Sequence, residues 1–146
     1  SELAKLPGYY IMDHGLNMAQ QVNIDMPSQE EVKSCLWLTN DELDYYYNTF
    51  HKTTFQGGLN YYRCMTNDKI RNKLKLFSNM RISVPSMFIA GKSDWGIYQK
   101  PGALENMQIN ATSNYYGSHF VEGAGHWVQQ EKPEEVLKLF FNFLNT

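Results

Sequence analysis

Apolar positions recur along this chain with two different spacings, and the change of spacing divides it. From Ser28 to about residue 76 they fall at helical intervals. Ser28-Gln29-Glu30-Glu31 has the Ser-x-x-Glu form of a helix-opening capping box and precedes Val32, Cys35, Leu36 and Leu38. Thr39-Asn40-Asp41-Glu42 repeats the signal, with Leu43, Tyr46, Tyr47 and Phe50 on one face behind it. Gln56-Gly57-Gly58 is expected to break that helix, and a third is predicted from near Leu59 through Tyr62, Met65 and Ile70 towards Leu76. Residues 1–28 are only weakly periodic, interrupted by Pro7, Gly8, Gly15 and Pro27, and read as irregular chain with room for one short helix.

After Ser78 the texture changes. Ile82 to Gly91 is apolar and partly β-branched, the pattern of a strand buried on both faces of a helix-covered parallel sheet. Pro101-Gly102-Ala103-Leu104-Glu105-Asn106-Met107 reads as a helix start, and Tyr115 to Val121 as a second strand. Lys132-Pro133-Glu134-Glu135 opens a final helix, with proline and two acids where the helix dipole favours them. Its face is Val136, Leu139, Phe140, Phe143 and Leu144. The order is a helical block, then strand, helix, strand, helix, which is an α/β class of fold. Two strands are too few for a self-sufficient parallel sheet, whose members need neighbours at both edges.

Bulk properties narrow the function classes. With 146 residues and 42% hydrophobic content, the chain has the size of one domain and the means for a core. A net charge of −2 without a basic run argues against nucleic acid or an anionic membrane as partner. No apolar run approaches the roughly 18 residues of a membrane span, and no signal peptide is expected. Cys35 and Cys64 are far apart and outside any metal-ligand pattern, so they are expected as buried or half-buried thiols in a reducing, cytoplasmic compartment. Aromatic content of 14% suits a ring-lined site and suits a plain core equally well.

Two segments carry candidate chemistry. Met87-Phe88-Ile89-Ala90-Gly91-Lys92-Ser93-Asp94 is an apolar run ending in a carboxylate, and His119-Phe120-Val121-Glu122-Gly123-Ala124-Gly125-His126-Trp127 is a strand followed by a small-residue turn and an imidazole. Taken alone, His126 reads as a surface or structural histidine and Asp94 as a turn or cap residue. Together they read differently. An imidazole can accept a proton from water near neutral pH, and a carboxylate can fix its tautomer and stabilise the cation that forms.

These segments, with Gly91-Lys92-Ser93-Asp94-Trp95 and Gly123-Ala124-Gly125-His126-Trp127-Val128-Gln129-Gln130-Glu131-Lys132-Pro133 in full, resemble the acid and histidine segments of the epoxide hydrolases of the α/β-hydrolase fold. Phe55-Gln56-Gly57-Gly58-Leu59-Asn60-Tyr61-Tyr62-Arg63 resembles the stretch of that family's helical cap that carries a ring-opening tyrosine, and it alone points to epoxides in particular. The resemblance runs from near residue 28 to the C-terminus. It implies the C-terminal portion of an α/β-hydrolase fold, with residues 1–77 a part of the helical cap and residues 78–146 a strand-helix-strand-helix part of the core. It further implies that His126 is the general base, Asp94 its orienting acid and Tyr62 the donor to the epoxide oxygen. Tyr61, Trp95 and Trp127 are implied as rings at the substrate site. The substrate is a small-molecule epoxide, and no metal or organic cofactor is implied.

Two parts of the family's machinery have no matching segment in residues 1–146: the nucleophilic aspartate on a sharp strand-to-helix turn, and the second cap tyrosine. Asp13, Asp25 and Asp68 lack the strand–turn–helix context, and Tyr9 and Tyr10 do not align with the early cap position. The expectation is therefore half of a hydrolase, inactive alone, that meets an N-terminal companion segment or associates with itself through an open sheet edge. A dehalogenase- or esterase-type hydrolase remains an open alternative, because the residues that separate these lie mainly at the nucleophile. So does a non-catalytic, self-associating module.

Overall fold

The computed structural model describes residues 11–146, so the reading of Tyr9 and Tyr10 lies outside the described residues. Its helical block opens with α1 (Met18–Ile24) and α2 (Gln29–Ser34). Helix α3 (Asn40–Thr53), α4 (Gln56–Thr66) and α5 (Asp68–Leu74) follow, and a 3-10 turn over Lys75–Phe77 closes the block. Both expected capping boxes form. Ser28 accepts the Glu31 N–H while Glu31 reaches back to Ser28, and Thr39 and Glu42 do the same at α3. Those reciprocal bonds hold the carboxyls of Glu31 and Glu42 below their ordinary values.

The helix joints differ from expectation in three places. Helix α2 stops at Ser34, and Cys35 is already extended at its cap. Thr54, with φ of 57°, ends α3, whereas Gly57 and Gly58 lie inside the first turn of α4, which begins at Gln56 rather than Leu59. The long third helix is split at Asn67, whose side chain caps α5 by accepting the N–H groups of Lys69 and Ile70. An asparagine oxygen there competes with continuation of the helix.

Strand β1 (Ser86–Gly91) and strand β2 (Tyr115–Val121) pair in parallel, with Ile89 opposite His119, Ala90 opposite Phe120 and Gly91 opposite Val121. The ladder starts only after Pro85, which has no N–H to donate, although Ile82 makes an isolated bridge to Thr112. Between the strands lie α6 (Ala103–Asn106) and a π-helical turn over Met107–Ala111. The Arg81 guanidinium caps that turn by donating to the carbonyls of Ile109 and Thr112. After β2 come α7 (Val128–Glu131) and α8 (Pro133–Leu144).

The core sits where β2, α7 and α8 meet. Val121, Ala124 and Val128 are buried, with Ile89, Val136 and Leu139 packed against them. It is small. Strand β1 was expected to be buried on both faces, yet Ser86 to Ile89 are only half-buried, because β2 is its one ladder partner among the described residues. Phe140 and Leu144 of the α8 face are exposed, and so is Cys64, while Cys35 is half-buried. The chain exposes 12,154 Å², against about 7,700 Å² for a compact monomer of 17.0 kDa. Among the described residues no helix is long and apolar enough to cross a membrane.

Candidate active site

Parallel pairing builds the site. Because β1 and β2 run in the same direction with Gly91 opposite Val121, the loops that leave their C-terminal ends emerge side by side. Three bonds lock those loops together. Lys92 donates its N–H to the Val121 carbonyl at 2.9 Å, Ser93 donates to Ala124 at 3.0 Å, and the Lys92 ammonium pairs with Glu122. The Glu122 carboxylate, through its hydrogen bond and its charge, raises the Lys92 ammonium above its ordinary pKa. Gly91 makes this approach possible, since a Cβ there would lie 2.1 Å from the Gly125 carbonyl oxygen.

Asp94 and His126 meet at this junction. Asp94 turns back on β1 by donating its N–H to Gly91, and its Oδ1 accepts the Gly96 N–H at 2.7 Å, capping the 3-10 turn over Trp95–Tyr98. The same oxygen lies 3.1 Å from His126 Nδ1. An ionised carboxylate can only accept, so in this pairing the imidazole donates through Nδ1. Burial divides the labour: the Asp94 side chain is 12% exposed and that of His126 54%. The carboxylate is withdrawn and the imidazole is open. Asp94 thus caps a turn and lies within hydrogen-bond distance of the histidine at once.

The other candidate rings divide. Trp127 stands edge-on to His126, with ring centroids 5.2 Å apart, and half-buried Trp95 follows Asp94 directly. Tyr61 and Tyr62 lie on α4, edge-to-face with each other and exposed, Tyr62 at 65%. Among the described residues no hydrogen bond or ring contact joins them to Asp94 or His126. The helical block does reach the histidine loop at another point. Tyr46 on α3 accepts a hydrogen bond from Gln130 Nε2 at 2.9 Å, beside a cleft of about 410 Å³ lined by Trp37, Leu38, Glu42, Gln129 and Pro133.

Sequence reasoning passed over one residue here. Glu131, at the end of α7, accepts the N–H of Gly125 at 2.7 Å and of Trp127 at 2.9 Å, the residues on either side of His126. The available signal was an acid in the first turn after a glycine-rich loop. No group of three or more His, Cys, Asp or Glu side chains is placed to hold a metal among the described residues.

Known proteins share this arrangement of elements. No family model matches the chain. Epoxide hydrolase A of Mycobacterium tuberculosis is 37% identical to it over 108 residues, which cover 74% of this chain and 32% of that protein. Epoxide hydrolase 1 of Siraitia grosvenorii is 33% identical over 120 residues, or 74% of this chain and 35% of that protein. The solved structure of potato (Solanum tuberosum) epoxide hydrolase I superposes with a TM-score of 0.69 at 32% identity, covering 81% of this chain and 37% of that one.

The chain is a relative of the epoxide hydrolases of the α/β-hydrolase fold. It spans about a third of the length of the curated relatives it matches. The helical block and the two-stranded parallel unit are accordingly a portion of that fold, and the Asp94–His126 pair lies within it.

Proposed function

We propose that the protein is an epoxide hydrolase that converts small-molecule epoxides to diols through a covalent ester. In this reading a carboxylate nucleophile outside residues 1–146 attacks the oxirane carbon, and the C–O bond breaks. Tyr62 donates to the departing oxygen, a role for which a neutral phenol is suited at pH 7. His126 Nε2 then removes a proton from water, the hydroxide attacks the ester carbonyl, and the diol leaves as the carboxylate re-forms. Asp94 holds the imidazole in the required tautomer and stabilises the imidazolium. Trp127, Trp95 and Tyr61 line the substrate. Residues 1–77 supply part of a cap and residues 78–146 the acid and base part of the core, completed by a companion segment. Two free thiols fit a reducing, cytoplasmic setting.

The observation that carries this reading is the 3.1 Å contact of Asp94 with His126 at the C-terminal edge of adjacent parallel strands. The exposed phenol of Tyr62 on α4 supports the epoxide assignment. The test is diol formation from a monosubstituted epoxide by the full-length protein that carries this chain. Wild type is expected to turn over, and Asp94→Asn to lose about 10²–10⁴-fold in steady-state rate. The 146-residue chain alone is expected to form no diol. Diol formation by that chain without any companion, or undiminished turnover by Asp94→Asn, contradicts the reading.

A further inference from the structure

Among the described residues the His126 ring makes one hydrogen bond, to the Asp94 carboxylate, and stands edge-on to Trp127, while it is more than half exposed. Its backbone follows Gly123-Ala124-Gly125, a segment in which Gly123 takes φ of 66° and Gly125 carries no side chain to restrict it. A catalytic imidazole on such a loop needs its main chain fixed as well as its ring. Among the described residues the only side chain that bonds to the N–H groups of its two neighbours is Glu131, whose Oε2 takes the Gly125 N–H and whose Oε1 takes the Trp127 N–H. Glu131 is itself anchored, because its own N–H donates to the Trp127 carbonyl at 2.9 Å. One oxygen holds the peptide that joins His126 to Trp127 and the other the peptide that joins Ala124 to Gly125. The loop is thus tied just before and just after His126, and the direction in which its ring leaves the loop is constrained. The carboxylate packs directly on Gly125, where a Cβ would stand in ordinary contact, 3.4 Å from Oε1 and 3.6 Å from Oε2.

We infer that Glu131 is a positioning residue for the hydrolytic half of the reaction, aiming His126 Nε2 at the ester without touching substrate. The inference rests on the epoxide hydrolase reading. It has a signature that a plain helix cap lacks. Ester formation does not use His126, whereas ester hydrolysis does, so a misaimed imidazole slows only the second step. A slower second step lets the ester accumulate, and kcat and KM then fall together.

The experiment compares wild-type and Glu131→Gln full-length protein by rapid quench with a monosubstituted epoxide. An amide keeps the shape of the carboxylate but offers one acceptor oxygen, and turns an N–H donor towards the other backbone N–H. The expected result is ester formation at the wild-type rate, kcat lower on the order of 10–100-fold, and KM lower in parallel. Unchanged kcat with a lower Tm would overturn the inference and leave Glu131 as an ordinary cap. Equal slowing of ester formation and hydrolysis would overturn it as well. If the variant does not fold, amide exchange of the wild type decides. Slow exchange at Gly125 and Trp127 supports the clamp, and exchange at the rate of open loop amides overturns it. Failure of wild type to form any ester is a different result, which removes the epoxide reading and this inference with it.

Discussion

Gly91 illustrates how much of the site depends on single atoms. Its missing Cβ lets the Ala124 and Gly125 carbonyls pass over the end of β1, which puts the histidine loop within reach of Asp94. Gly91→Ala is expected to push that loop away and to cost about 1–3 kcal/mol of stability. Diol formation should fall on the order of 10²-fold, since a shift near 1 Å in a catalytic base has that effect. Chemical denaturation and steady-state kinetics measure the two losses, and wild-type values in both would contradict the packing account. The pairing of Asp94 with His126 was legible from residue types in context. Gly91 as an approach point and Glu131 as a clamp were not, because each acts across a junction that no local pattern encodes.

At the scale of elements, local chemistry was the most readable. The Ser28 and Thr39 capping boxes, β2 and the proline-led α8 formed where the pattern placed them. Errors arose where a single residue outvoted the apolar spacing: Thr54 at positive φ, Asn67 capping α5 with its side chain, and Pro85 delaying β1. The caps also carry a pH dependence. Thr39 hydrogen bonds hold Glu42 below its ordinary value of 4.5, so the folded helix binds its proton less readily than the unfolded chain does. Stability from this cap is present above the unfolded value and is lost as pH falls through the depressed folded one. Backbone amide shifts of Thr39 and Glu42 should therefore report fraying at the start of α3 on acidification, and Glu42→Gln should remove that titration. An unaltered titration in Glu42→Gln would assign it elsewhere.

For the whole molecule, surface decides the argument. A chain of this mass that exposes 12,154 Å², with Leu137, Phe140 and Phe141 of α8 among its exposed residues, leaves apolar faces that water disfavours. The purified 146-residue chain is therefore expected to self-associate in sedimentation; a stable monomer would show those faces to be tolerated. The same shortage of cover explains why β1 looked like a fully buried strand in sequence and is half-buried here. Its apolar run is suited to a larger sheet, in keeping with relatives of which this chain spans a third. The central claim is that His126 activates water against an ester whose acid component lies outside residues 1–146. Intact-mass spectrometry of the full-length His126→Gln protein after exposure to a monosubstituted epoxide tests it most directly. The account predicts a persistent adduct of one epoxide mass on a carboxylate outside residues 1–146, with wild type returning to its starting mass. An adduct that clears as fast in His126→Gln as in wild type, or no adduct at all, would contradict it.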